Sequence, residues 1–241
     1  VMGMIIMGSI GFPVLIETKE YLMKKKSDFP YRFSLFTKLT TVTFFSLVLF
    51  GFIVILLLEW THFFANKSWH ESLFYALFQS VTSRSAGLST MDVSQFTLPT
   101  QLILSFLMFI GASPSSVGGG IRTTTFAIVF LAVFFFAKGN GSIKVFQREL
   151  HHEDVMKAFS VLVVAIALCI AAIVILAITE PHPLTAIIFE VASAFGTCGL
   201  SLGITPDLST TGKIVIMCLM FIGRIGLVTL LFLIRGKGIS D

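Results

Sequence analysis

The chain has 241 residues, 55% of them hydrophobic and only 12% charged, with a mean hydropathy of +0.93. Ordinary soluble domains carry about 25% charged residues, so this composition belongs to a membrane protein. The net charge of +4 does not point to nucleic acid, because the Lys and Arg sit at the ends of apolar stretches. Cys169, Cys198 and Cys218 are scattered through apolar or repeated segments without ligand spacing, which argues against a disulfide framework and a transition-metal site.

In chain order, residues 1–18 read as the apolar end of a helix, followed by a basic stretch with Lys19, Lys24, Lys25, Lys26, Arg32 and Lys38. Residues 39–58 then supply the roughly 20 apolar residues that cross a bilayer, ending at Glu59. The next apolar segment, 69–81, is too short to cross and reads as a re-entrant helix, with Ser68 and Glu71 as its capping box. After the small residues Ser85, Ala86 and Gly87 come two apolar half-spans, 98–110 and 126–137. Between them lies Gly111-Ala112-Ser113-Pro114-Ser115-Ser116-Val117-Gly118-Gly119-Gly120-Ile121-Arg122. Proline, serines and consecutive glycines do not hold a regular helix, so this segment reads as a flexible polar strap at mid-membrane depth. A second basic stretch, with Lys138, Lys144, Arg148 and Lys157, precedes a span over 158–179. A short segment at 184–195 with Pro183 at its start follows, then Thr197, Cys198 and Gly199, then a last span over 214–234 interrupted only by Arg224.

The order repeats because the residues repeat. Ser85-Ala86-Gly87-Leu88-Ser89 lies over Thr197-Cys198-Gly199-Leu200-Ser201, and Leu107-Met108-Phe109-Ile110-Gly111 is identical to Leu219-Met220-Phe221-Ile222-Gly223, both at an offset of 112 residues. A third copy of the second block opens the chain, with Gly8 on Gly223 and Gly11 on Gly226. Its first block would fall before residue 1, so the expectation is a fragment of two repeats and the tail of a third. Each unit is helix, re-entrant half-helix, glycine-containing loop, helix, in an all-α membrane fold. Basic residues crowd the stretches between units and only Lys67 and Lys213 the other side, which makes the basic loops cytoplasmic. Both half-helices therefore enter from outside.

A half-helix entering this way aims its C-terminal end, about half a negative charge, at the membrane centre, where it favours a cation. Small residues beyond it let backbone carbonyls replace an ion's hydration shell. Ser85, Ala86, Gly87, Thr197, Cys198 and Gly199 are thus the ion-filter candidates. The competing account, loops that serve packing alone, is weaker because irregular backbone at membrane depth normally lines a cavity.

The segments SVTSRSAGLST and ASAFGTCGLSLGITPDLST, with MFIGRIG downstream, resemble the Trk/Ktr/HKT superfamily of potassium transporters, nearest the bacterial Ktr-type membrane (pore) subunit. The resemblance implies a potassium-channel-like arrangement of four units around one pore, each supplying a quarter of the selectivity filter. On that scheme residues 1–18 end the second unit, 39–137 form the third and 158–235 the fourth. Residues 19–38 and 138–157 are cytoplasmic linkers, and 236–241 start a C-terminal tail. The first two filter segments are absent, so the missing N-terminal pore units are needed to close a pore. The strap, with Gly111, Ser113, Ser115, Ser116, Gly118, Gly119 and Gly120, corresponds to a gating loop beneath the filter, and Arg224 to an electrostatic barrier in the pore. The resemblance further implies a multi-pass protein of the bacterial cytoplasmic membrane, surrounded by lipid, forming a homodimer on a cytosolic ring of RCK-type nucleotide-binding subunits. It implies no cofactor in this chain and K+ as the transported ion. Sodium coupling and the preference between K+ and Na+ stay open.

Arg84 is expected to brace the filter from behind, since a cation lining the path would repel potassium. Arg224 near a helix centre costs about 2.5–3.5 kcal/mol on insertion scales, so it should face the protein interior. It follows the repeated glycine just as Ala112 does, so Arg224 and the strap should meet and hydrogen-bond. Glu59, Glu180, Asp92 and Asp207 either enrich cations at the outer mouth or are solvated boundary residues. Glu190 has no evident partner. His151-His152-Glu153-Asp154 falls in a charged cytoplasmic loop and is not a metal site, because adjacent helical residues point apart. Nothing resembles an enzyme: there is no nucleophile and base pair, and the strap matches neither a phosphate-binding loop nor a serine elbow. The alternative function is a secondary cation transporter with alternating access around a broken helix. Parallel repeats and filter segments without acids count against it.

Overall fold

The computed structural model describes residues 1–23, 32–139, 143–146, 148–227 and 229. Lys24, Lys25 and Lys26, the end of the 214–234 span and the 236–241 tail lie outside them.

The opening segment is two helices, α1 (Met2–Ser9) and α2 (Phe12–Met23), bent by 104° at the break between them. Gly11, with φ +97°, makes the turn. Helix α3 (Leu35–Glu59) starts at Ser34, whose hydroxyl accepts from Thr37 N at 3.1 Å. Helix α4 (Trp69–Thr82) carries the expected capping contact, Ser68 N donating to Glu71 Oε2 at 3.1 Å. A 3-10 turn at Val93–Gln95 leads into α5 (Leu98–Ile110), and α6 (Thr123–Ala137) follows the strap.

Beyond α6, β1 (Lys144–Val145) and β2 (Arg148–Glu149) pair as a two-residue antiparallel ribbon in an otherwise all-α fold. Helix α7 (His152–Thr179) begins earlier than the apolar run. The His151–Asp154 segment is therefore the N-cap and first turn of this helix rather than a loop, with Glu153 and Asp154 favoured by the helix dipole. Helix α8 is Leu184–Phe195, with Pro183 at its N-cap. Helix α9 (Thr210–Ile225) is shorter than the span, interrupted only by Arg224, expected over 214–234. Gly226, at φ +88°, ends it at the position equivalent to Gly11. An apolar sequence on both sides hides a break that backbone conformation makes plain.

Among the described residues two helices, α3 and α7, are long and apolar enough to cross a membrane, with mean hydropathies of 2.7 and 3.5. Their apolar residues divide by face. On α7, Val161, Ala165, Cys169, Ala172 and Leu176 are buried, while Val163, Ile166, Ile170, Val174 and Ile178 are exposed, two stripes at helical spacing. In lipid an apolar interface gains no hydrophobic drive, so close packing over small residues such as Ala165 and Ala172 has to hold the helices together. Helix α5 packs on α8, α3 on α4 and α5, and α9 on α7 and α8. Leu107, Ile110, Ile187, Phe195 and Leu219 form the shared core, with Phe109 stacked on Phe195 at 5.4 Å. This core brings the ends of α5 and α8 together, and a second cluster, with Ala76 of α4 against Leu104, Met108 and Phe189, adds α4 and with it the two repeated loops and the strap.

Candidate functional site

Each half-helix runs out into a loop of matching conformation. Ser85 and Gly87 have φ of +61° and +65°, and their repeat equivalents Thr197 and Gly199 have +49° and +100°. Left-handed φ at two positions flanking Ala86 or Cys198 prevents either loop from continuing as helix.

Their amides point back to the half-helices. Ala86 N and Gly87 N donate to Thr82 O at 3.1 and 3.2 Å. Thr197 N donates to Ala194 O at 3.0 Å and Cys198 N to Ser193 O at 2.9 Å, while Gly199 N reaches Ser193 Oγ at 3.1 Å. Among the described residues no donor meets the carbonyl oxygens of Ser85, Ala86, Gly87, Thr197, Cys198 or Gly199. The loops therefore spend their donors on themselves and keep their acceptors free. They also touch. A Cβ placed on Gly87 would lie 2.0 Å from the Cys198 carbonyl oxygen, Cys198 Sγ lies 3.4 Å from Thr82 O, and Ser85 Oγ donates to Gly196 O at 2.8 Å.

Arg84 is fully buried beside this pair. Its Nη1 donates to Leu107 O at 3.4 Å and Gly111 O at 3.3 Å, and its own carbonyl accepts from Ser9 Oγ at 3.0 Å. It lies between the loop of one half-helix and the point where α5 gives way to the strap.

The strap lies against both loops. A Cβ on Gly118 would come within 2.5 Å of Ser85 Oγ, and one on Gly119 within 2.7 Å of the Thr197 side chain and 2.8 Å of Gly223 O. Gly111 and Gly120 close its base, where Ala112 N donates to Gly119 O at 3.2 Å and Ile121 N to Phe109 O at 3.3 Å. Its tip is tied to the α1–α2 corner by three backbone bonds: Ser113 N to Ser9 O, Val117 N to Gly8 O, and Phe12 N to Ser115 O, at 3.0 to 3.1 Å. Ser116 Oγ closes a local turn on Ser113 O, and Ser113 Oγ pairs with Thr123 Oγ1 at 3.1 Å.

Besides Arg84 at Gly111, the arginine bonded to the strap is its own Arg122, whose Nη1 donates to Gly118 O and, at 3.4 Å, to Ser113 O. In the sequence Arg122 is only the last residue of the strap. Its place beside a run of carbonyls too irregular to bond each other was the available signal. Arg224 is exposed in the last turn of α9, and among the described residues it makes no hydrogen bond to the strap. The expected meeting of α9 and strap occurs through backbone, at Gly223 and Gly119, while Arg224 lies near enough to Arg122 for the two charges to repel.

Glu59 and Glu180 depart from both expectations, whereas Asp92 and Asp207 are exposed, as solvated boundary residues would be. Glu59 is fully buried and accepts from Thr97 N at 2.8 Å and Thr97 Oγ1 at 2.7 Å, capping α5. Glu180, 6% exposed, does the same for α9, accepting from Ser209 N at 3.1 Å and from Ser209 Oγ. Neither faces water at a mouth, because each is consumed by the N-terminal donors of a neighbouring helix. The Ser209 bonds hold the Glu180 carboxyl below the usual carboxylate range. Asp92 caps the 3-10 turn through Ser94 N and Oγ, and Asp207 is exposed. Glu190, on buried α8, accepts from Thr205 Oγ1, which also bonds Ser201 Oγ at 2.9 Å. That partner, in the loop beyond the half-helix, gave no sequence signal.

A profile described as TrkH, cation transport protein, matches residues 1–237. The chain is 60% identical over 239 residues to the Ktr system potassium uptake protein D of Bacillus subtilis, a match covering 99% of this chain and 53% of that protein. It is 36% identical over 237 residues to the potassium/sodium uptake protein NtpJ of Enterococcus hirae, covering 96% and 51%. The crystal structure of the potassium transporter TrkH from Vibrio parahaemolyticus shares the fold with a TM-score of 0.67 at 22% identity, over 83% of this chain and 44% of that one. The chain spans about half the length of the curated relatives it matches.

Proposed function

The chain belongs to the TrkH family of cation transport proteins, and from that premise we propose that it forms part of the pore of a potassium uptake system. The observation that carries this reading is the polarity of the two repeated loops, with donors turned inward to the half-helices and six carbonyl oxygens that meet no donor among the described residues. Such oxygens substitute for the water shell of a monovalent cation, and the half-helix C-termini add favourable partial charge. Ser85, Ala86, Gly87, Thr197, Cys198 and Gly199 are then filter residues. No covalent chemistry is needed.

The strap is the gate in this reading. Its glycines lie against Ser85 and Thr197, so an ion leaving the filter has to displace it. Arg84 acts as a support, bonding the carbonyls at the α5–strap junction rather than the ion. Arg224 adds positive charge beyond the strap and repels a passing cation. The names of the relatives, which include potassium uptake and potassium/sodium uptake proteins, support K+ as cargo. The complete transporter is proposed to be a homodimer in the bacterial cytoplasmic membrane, regulated by a cytosolic RCK-type subunit.

The test is ion uptake by transport-deficient bacteria carrying the full-length protein with Gly87→Ala or Gly199→Ala. Left-handed backbone disfavours any side chain at both sites, and at Gly87 the added Cβ also meets the Cys198 carbonyl. Potassium uptake should fall and discrimination against sodium should weaken in both, more severely for Gly87→Ala. Unchanged uptake and selectivity in both variants, at normal expression, would remove these loops from the ion path.

A further inference from the structure

Two apolar grooves open on the face formed by α3 and its neighbours, and they share two residues. One, of about 590 Å³, lies between α3 and α6 and includes Leu39, Phe50 and Phe130. The other, of about 490 Å³, lies between α3 and the α1–α2 pair and includes Ile10, Thr37 and Phe45. Val42 and Phe146 line both, so the grooves are two limbs meeting at one junction.

The junction is charged at one end. Lys38, on the first turn of α3, lines the second groove, and its Nζ lies 5.7 Å from the centre of the Phe146 ring. No carboxylate among the described residues forms an ion pair with it. Phe146 is half exposed at the turn of the β1–β2 ribbon and holds a left-handed φ of +48°, unfavourable for an aromatic residue. An exposed ring and an ammonium with no ion-pair partner among the described residues thus mark the mouth of two apolar limbs.

The dimensions match one leaflet. At about 1.5 Å per residue, the α3 wall of the first limb, from Leu39 to Phe50, is about 16 Å long and that of the second, from Thr37 to Phe45, about 12 Å, against about 15 Å for half of a 30 Å hydrocarbon core. Lys38 then sits at the cytoplasmic headgroup level, where a basic side chain attracts anionic lipid. Two apolar limbs below the Lys38 ammonium are complementary to two acyl chains below one negative headgroup. The geometry points to a specific site for one anionic phospholipid of the cytoplasmic leaflet, its phosphate on Lys38 and its chains in the limbs on either side of Phe146. A second protein copy fits less well, because it would have to bring an acid to Lys38 and two separate apolar ridges to the limbs. The inference requires only that α3 crosses the bilayer, and it is read out without ion flux.

The full-length protein is purified in detergent, supplied with phosphatidylglycerol or phosphatidylcholine of identical chains, and examined by native mass spectrometry. Phosphatidylglycerol should be retained preferentially. Lys38→Gln should reduce its retention about fivefold, the effect of one basic side chain near a membrane surface, with Lys38→Arg restoring it. Val42→Trp, which fills the junction, should reduce retention of both lipids, and glycerol phosphate without chains should not compete. Equal retention of the two lipids by the wild type, or unaltered preference in Lys38→Gln, overturns the site. If Lys38→Gln does not fold, a tail-photoreactive phosphatidylglycerol in native membranes must label Val42 and its neighbours on α3. Absence of that label, or disulfide formation between two copies carrying Val42→Cys, overturns it equally.

Discussion

Glu59 and Glu180 occupy the same place in the two units and have the same function, each reaching from the end of a unit's first helix to the start of its last. Because Glu59 is fully buried, its loss leaves the Thr97 donors unsatisfied. Glu59→Ala should destabilise the protein by about 2 kcal/mol, within the range for hydrogen bonds to charged groups, measured as a lowered thermal transition in detergent, with Glu59→Gln less severe. Glu180 adds a pH signature. Its folded carboxyl titrates below the usual range, so its contribution is complete above the unfolded value of about 4.3 and is lost as pH falls through the lower folded value. The destabilisation caused by Glu180→Gln should therefore be constant from neutral pH down to about 5 and shrink below about 4. A constant difference into stronger acid would deny the Ser209 bonds their role. The acids themselves were visible in the sequence, but their partners were not, since Thr97 and Ser209 lie across a loop whose path only the folded chain defines.

The elements divide by whether length or conformation defines them. Half-helices α4 and α8 and half-spans α5 and α6 were legible because an apolar run too short to cross a bilayer is a statement of length. The end of α9 at Gly226 and the corner at Gly11 were not, because a positive φ between apolar neighbours changes no composition. The strap was recognised as irregular, but its attachment to the α1–α2 corner and its hold by Arg122 depend on contacts distant in sequence. Those contacts make a prediction about gating. Arg122→Ala removes the strap's two bonds to the guanidinium and should raise resting potassium flux, by roughly tenfold for a charge-assisted bond of about 1.5 kcal/mol. Combined with deletion of residues 113–119 it should add little, because both act on one barrier. Arg224→Ala should add fully to either change, since Arg224 acts by charge and makes no bond to the strap among the described residues. Additivity between Arg122→Ala and the deletion would separate Arg122 from the gate.

In the whole molecule, two loops with free carbonyls meet over one strap, and several buried polar atoms nearby have no partner among the described residues, including Gln79 Oε1 and Nε2, Arg84 Nε and Nη2, and Glu190 Oε2. Two such loops line only part of a ring around an ion. Residues 1–241 reconstituted alone in liposomes should therefore carry no rubidium flux, whereas the full-length protein should; equal flux from both would overturn the proposal that further filter segments complete the path. The repeated acid caps have a consequence for how such a molecule can move. Glu59 binds α3 to α5 and Glu180 binds α7 to α9 at the ends of these helices remote from the strap. Each unit is consequently a pair of tongs riveted at the outer end, free to spread only at the inner one. On the proposed function, a displacement too small to disturb the geometry at the rivet grows along the arms toward the strap, so the fixed ends set how far the helices can part where the loops and the strap meet.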